Sequence, residues 1–362
     1  MNSLAPLHKY RQQQRGATIV VVALLMTVFI GFAALGVDIG YLKVAENELQ
    51  NVADAAALAA ARQLGHEYEL LSYQEQTGYV CNSATITGVA DAVARQNKAA
   101  GVNIGINEAD VSIGQWHADT KTLIPTLDHP DAVRVIARRD DQGNSPIAMF
   151  FLRVFAWIFK PEVPKNYESI GRSAIATAAL TAESTIDDGL LIPVGISEQW
   201  FLNKEEFCDQ PIRFYPTNTP EGCAGWNTYE HWPASESYLR KTILEGWVAE
   251  TFTAPAAGTG DEFVFTGGTL GNQTFTAFQN LYNYMKDAKG EWMTSVAVYK
   301  SDSCSNPSGR LEIVGFATAV ITQVLPPPDQ TIVARVICDR LVTGRGSGGN
   351  YGTRGTIPGL VQ

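Results

Sequence analysis

A chain of 362 residues exceeds the roughly 250 to 300 at which a single hydrophobic core stops growing, so an anchor plus two folded units is the expected organisation. Its 45% hydrophobic and 18% charged residues exclude wholesale disorder. Residues 1–16 carry Lys9, Arg11 and Arg15 and no acid, which leaves 24 basic against 37 acidic residues beyond them, a balance that repels nucleic acid.

The basic leader, residues 1–16, is followed by residues 17–37, which hold no charge and only two polar side chains, Thr18 and Thr27. At 1.5 Å per residue such a helix spans roughly 30 Å, the thickness of a bilayer's hydrocarbon core. Lys9, Arg11 and Arg15 precede the run and Asp38 follows it, so the positive-inside rule predicts a cytoplasmic N-terminus with the bulk across the membrane. A cleaved secretory signal would have an apolar region of about 7 to 15 residues ending in an A-x-A site, and this run has neither property. Ala23, Thr27 and Gly31 recur every fourth residue, a small-residue face on which another membrane helix packs closely.

Residues 38–65 continue as an extended amphipathic helix rich in Ala, Leu and Glu, with Gly65 expected at its end. Leu42, Ala45, Leu49, Val52, Ala56 and Ala59 step by three and four into an apolar seam. Two roles fit the seam: packing against the protein's own folded part, or packing beside similar helices in an assembly.

Residues 66–184 read as an α+β domain. A helix is expected over 87–100, closed by Gly101, with strands near 111–116, 132–137 and 173–181. The stretch 147–159 is intensely apolar but too short to cross a bilayer, so it predicts a buried or interface-lying helix, Arg153 in the latter case reaching lipid phosphates. The polar stretch 184–189, with the solvated acidic pair Asp187 and Asp188, marks a boundary. Residues 185–343 then form a second, strand-rich domain with helices over 236–249 and 274–286 and strands over 263–266, 293–299, 311–323 and 331–339. The tail, residues 344–362, is glycine-rich and predicts little regular structure.

Chemistry-bearing patterns are missing from the sequence. There is no GxxxxGK[ST], HExxH or GxSxG, and His8, His66, His117, His129 and His231 are scattered singly. No catalytic residue, cofactor, metal or small-molecule substrate is therefore assigned. Five cysteines occur without a CxxC; Cys208, Cys223, Cys304 and Cys338 are the candidate disulfide formers, paired by proximity as 208 with 223 and 304 with 338, and Cys81 is left as a buried thiol. Cys208, Cys223 and His231 fit no common zinc spacing. The aromatics Trp200, Phe201, Phe207, Phe214, Tyr215, Trp226, Tyr229 and Trp232 are read as core, or, if exposed together, as a partner or glycan surface.

The string RGATIVVVALLMTVFIGFAALGVDIGYLKVAENELQNVADAAALAAARQLG, residues 15–65, closely resembles the N-terminal region of TadG-like proteins of the Tad (tight adherence, Flp) pilus system, through Arg15-Gly16, GFAALGVD at 31–38 and ELQNVADAAALAAA at 48–61. Looser similarity extends to IGQWHADTKTLIP at 113–125, DAVRVIARR at 131–139 and IVGFATAVI at 313–321. The resemblance implies a fold made of one transmembrane helix, extended into a long pilin-like helix and followed by α+β, strand-rich extracytoplasmic domains. It implies a non-enzymatic, single-pass inner-membrane component of a type IVc pilus, periplasmic in bulk, whose partners are the membrane and other Tad pilins and assembly proteins. Prepilin-type cleavage would fall between Gly16 and Ala17, and Val21 then stands at the fifth mature position where prepilins carry Glu. The D-x-S-x-S metal motif of relatives with a von Willebrand A domain is not matched, since Asp302 is followed by Cys304 and Asn306. The other classes open at this point are a membrane-tethered envelope enzyme or metal-binding protein and a glycan-binding adhesin.

Overall fold

The computed structural model of the chain describes residues 7–118, 120–152, 169–186, 189–203, 207–214, 223–338, 340–346, 349 and 351–362. Three helices matter below: α1 (Leu7–Glu69), α2 (Ser83–Ala94) and α3 (Asn272–Met285). The strands are β1 (Val111–His117), β2 (Thr122–Pro125), β3 (Ala132–Arg139), β4 (Arg172–Ala179), β5 (Val194–Ser197), β6 (Pro211–Arg213), β7 (Ala224–Asn227), β8 (Glu262–Thr266), β9 (Trp292–Tyr299), β10 (Ser308–Leu325), β11 (Thr331–Ile337), β12 (Arg340–Arg345), β13 (Thr353–Ile357) and β14 (Gly359–Leu360). The molecule is thus a long N-terminal apolar helix followed by strand-rich structure. It resolves into two compact units, one drawn from residues 1–56, 87–111 and 135–176 and the other from 57–86, 112–134 and 177–362.

Helix α1 runs without interruption for 63 residues. Gly65 was expected to end it and does not. A Cβ at Gly65 would lie 2.1 Å from the carbonyl oxygen of Thr356, so the glycine is there to let another backbone approach a continuing helix. The helix stops four residues later, after Glu69, whose carboxylate accepts from the Arg62 guanidinium at 3.0 Å and from the Thr356 hydroxyl.

Helix α2 begins and ends earlier than the periodicity suggests. The Asn82 side chain accepts from the amide of Ala84 at 3.1 Å and fixes the start. Lys98–Ala99 instead pairs antiparallel with Val102–Asn103, and the two residues between them, Ala100 and Gly101, both have positive φ, 49° and 78°. Gly101 is a hairpin-turn residue, which two-residue hairpins favour, and not a helix terminator.

The first unit also contains the short antiparallel pairing of Ile147–Ala148 with Ser169–Ile170. The expected helix over 147–159 is a strand over Ile147–Ala148 and helical at Phe151 and Leu152; from Arg153 onward it lies outside the described residues, as do Asp187 and Asp188. Arg139, buried, donates to the carbonyls of Ser145 and Ala99 at 2.8 and 2.7 Å, and burial lowers its affinity for its proton, against the pull of Tyr41.

The second unit is built around a sheet of order β6-β11-β10-β8-β7-β5-β9, in which β9 also pairs with β10. The pairing β10-β8-β7-β5-β9 therefore closes into a ring of five strands, every neighbour antiparallel except β5 with β9. The 18-residue β10 makes this closure feasible: its first residues, 308–312, pair with β8, and 313–321 pair with β9. The core gathers Phe263, Phe265, Phe316, Tyr299 and Val298 from these strands with Phe275, Phe278 and Leu281 of α3. The apolar positions of α3 fall three and four apart, which is why one face enters that core. Helical turns also span Glu236–Tyr238 and Glu245–Val248, joined by a π-helical segment over Leu239–Leu244, where one continuous helix was expected.

The tail is ordered by backbone pairing and by its own side chains: the Thr353 hydroxyl meets that of Thr318 at 2.9 Å and Arg354 pairs with Asp131. Parallel pairing of β12 with β13 and antiparallel pairing of Gly359 with Ala179 and Leu360 with Ala178 give it regular structure that its glycine content conceals.

Both disulfides form, but not as proximity suggested. Cys208 joins Cys338 and Cys223 joins Cys304, with Cα separations of 5.7 and 4.5 Å. The reason is register. β6 runs antiparallel to β11 with Pro211 opposite Arg335, and extending that register three residues sets Cys208 opposite Cys338. Cys81 is a free buried thiol, and desolvation raises its pKa.

Candidate functional site

The most apolar 18-residue stretch of α1 is only 6% buried. Between Thr18 and Val37, Ala34 is buried and Gly31 half-buried, and every other residue is exposed, including Leu24, Leu25, Phe29, Ile30 and Phe32. A soluble protein does not leave such a surface in water, because each fully exposed large apolar side chain forgoes roughly 1.5 to 3 kcal/mol of burial. The helix is a candidate membrane anchor. Within it the Thr27 hydroxyl donates to the Ala23 carbonyl at 2.9 Å, which satisfies its polarity internally. Ala23 and Thr27 remain uncovered, so the small-residue face is open over those two positions, with Gly31 half-buried. Lys9, Arg11, Arg15, Gly16 and Ala17 lie on the helical backbone of α1, and their side chains are outside the described residues.

At the end of this stretch stands Asp38, an acid only 4% exposed. Its two carboxylate oxygens accept from the successive backbone amides of Phe150 at 3.0 Å, Phe151 at 3.1 and 3.2 Å and Leu152 at 2.9 Å. Such charge-assisted bonds to N–H groups are what make burial of a carboxylate tolerable. Sequence reasoning took Asp38 only as the acidic flank of the anchor. Nothing local in the sequence signals its contact with a segment more than a hundred residues away.

Leu42 and Ala45 bury against Ile147 and Met149, with Tyr41, Ala100, Leu152 and Ile170 around them. Leu49, Val52 and Ala56 are also buried inside the chain and Ala59 is half-buried, so the seam is consumed internally except at its last residue. The polar edge of α1 is tied down as well. Glu46 pairs with Lys43 and with Arg172, both at 2.6 Å, and these hydrogen bonds lower its pKa. Glu48 accepts from the Ala100 amide at 2.7 Å, and Gln50 donates to the Ile175 carbonyl at 3.2 Å.

The other sequence candidates do not converge. Trp200, Phe201, Phe214, Trp226 and Tyr229 are buried core residues, and Trp226 Nε1 donates to the Gly268 carbonyl at 2.8 Å. Phe207 is half-buried, Trp232, 59% exposed, stands apart from that core, and Tyr215 lies outside the described residues, so among the described residues these do not make an exposed aromatic patch. Cys208 and Cys223 are held in separate disulfides, and the His231 ring stacks on Tyr238 at 3.7 Å between centroids. Among the described residues no group of three His, Cys, Asp or Glu side chains is arranged to hold a metal ion.

Residues 16–63 match the family model described as putative Flp pilus-assembly TadE/G-like. The matched segment holds the exposed apolar stretch, Asp38 and the whole of the seam from Leu42 to Ala59. No curated protein and no solved structure matches the chain.

Proposed function

From a TadE/G-like N-terminal segment that supports a TadG-like component of a Tad pilus system, we propose that the chain is a single-pass inner-membrane protein that serves that pilus as a pilin-like or assembly component, through protein contacts and not through catalysis. The observation that carries this reading is the uncovered apolar stretch of α1, which coincides with the family match. Basic residues before it and Asp38 after it favour a cytoplasmic N-terminus and a periplasmic bulk. Two disulfides in the second unit fit an oxidising compartment. Burial of the seam within the chain argues that contacts with other pilus helices are made by the anchor itself, on the Ala23, Thr27 and Gly31 face.

Alkaline phosphatase fused after residue 69 is expected to be active, and the full chain is expected in the detergent-soluble membrane fraction. Deletion of the chain is expected to abolish piliation. Cytoplasm-only reporter activity would remove the topology, and normal pili after deletion would remove the pilus role.

A further inference from the structure

The first unit presents two adjacent exposed aromatic rings. Phe150 is 58% and Phe151 40% exposed, although Ile147 and Met149 just before them are buried. Their position is fixed. The Asp38 carboxylate holds the amides of 150, 151 and 152, and the Phe150 ring leans on Tyr41 with centroids 4.8 Å apart and planes tilted by 59°. Asp38 is the residue that follows the uncharged stretch, so the backbone of Phe150 lies level with the anchor's end, within about one helical turn. Around that level α1 is itself exposed and apolar on Leu35, Val37 and Ile39, while Gly36 and Gly40 leave open space beside them. The two rings thus extend sideways the apolar surface that the anchor presents at its exit.

We propose that Phe150 and Phe151, carried by Asp38 and Tyr41, form a membrane wedge that inserts into the interfacial layer of the leaflet where the anchor emerges. The proposal rests on the anchor reading above and adds a second, separate point of lipid contact. The occupant is the bilayer, because the rings share a level with a helix whose exposed surface is already lipid-like. The headgroup layer adds roughly 5 to 7 Å on each side of the hydrocarbon core, a depth that an aromatic side chain reaches from the helix end. The Asp38 carboxylate is buried beneath three amides and so does not face the phosphates. Two lipid contacts in place of one would restrain rotation and tilt of α1 relative to the bilayer.

The test uses the full chain in phosphatidylcholine and phosphatidylglycerol vesicles, with Cys81→Ala so that one introduced cysteine carries a nitrobenzoxadiazole label. Labels replace Phe150, Phe151, Phe29 in mid-anchor and the exposed Lys241 in the second unit. Lipids spin-labelled near the headgroup are expected to quench positions 150 and 151 about threefold or more over position 241, and lipids labelled deep in the acyl chain to quench position 29 most. In Asp38→Ala the quenching at 150 and 151 is expected to fall while that at 29 persists. Quenching at 150 and 151 no greater than at 241, with 29 quenched, overturns the wedge and leaves the anchor intact. Positions 150 and 151 shielded both from lipid quencher and from aqueous iodide would mean that protein covers them, which also overturns it. Absence of quenching at 29 overturns anchor and wedge together.

Discussion

The nested disulfides give the sharpest test of the second unit. Cys223–Cys304 closes a loop of 81 residues inside the 130-residue loop of Cys208–Cys338. In the chain-entropy picture the inner bridge restricts the unfolded chain by about 4.5 kcal/mol. With the inner loop closed, the outer bridge closes only about 49 further residues and is worth about 4 kcal/mol on the same basis. Measured values for single bridges run nearer 2 to 4 kcal/mol, so each matched double replacement, Cys223→Ser with Cys304→Ser or Cys208→Ser with Cys338→Ser, is expected to lower stability by about that much. The mismatched replacement, Cys208→Ser with Cys223→Ser, should cost about as much as losing both, since Cys304 and Cys338 are each left without their partner. The assay is the denaturant midpoint of the near-ultraviolet signal, with peptide mapping under non-reducing conditions. A mapped peptide linking 208 to 223, or a mismatched variant no weaker than the matched ones, would refute the register argument.

Three smaller changes probe other parts of the fold. Gly65→Ala, which in an exposed helix would stabilise by about 0.5 to 1 kcal/mol, is expected here to destabilise by about 2 kcal/mol, because its Cβ meets the Thr356 carbonyl; thermal melting decides the sign. Tyr299→Phe should be neutral or stabilising by about 1 kcal/mol, since the buried hydroxyl finds no hydrogen-bond partner among the described residues. Glu69 is pushed up by burial but pulled further down by hydrogen bonds from Arg62, Thr356 and His66, so its folded pKa is depressed. Its contribution is present above the usual carboxylate range and is lost as pH falls through the folded value, so Glu69→Gln should flatten the acid limb of a stability profile below about pH 4 and leave its shape near neutrality unchanged.

The sequence was most legible where one interaction with solvent decides the outcome. An uncharged run of 21 residues and the periodicity around Phe263, Val296 and Val320 needed only local pattern, and the anchor candidate and the main strands stand where it put them. Glycine was the weakest guide. Gly65 and Gly101 both read as helix ends; one sits inside a helix against a distant carbonyl, and the other turns a hairpin. A glycine reports that a Cβ is unwelcome without saying whether torsion or a neighbour forbids it. Pairing was illegible for a related reason: Cys208 meets Cys338 through the register of β6 on β11, and sequence distance carries no trace of that register.

The seam on α1 shows how a pattern read correctly can still leave its use open. Leu42, Leu49, Val52 and Ala56 have the spacing of an assembly helix, yet they are buried within the chain and have no surface left for a partner. The anchor differs in kind. Ala23 and Thr27 are uncovered, and in lipid two helices associate through close approach of small residues, because the hydrocarbon around them is as apolar as the helices themselves. If this chain meets other pilus helices along α1, the contact therefore belongs below Asp38. Ala23→Leu with Gly31→Leu should then abolish co-purification with pilins while membrane insertion is retained, whereas substitutions in the seam should act first on folding. Persistence of co-purification in the anchor variant would shift the partner surface to the folded units.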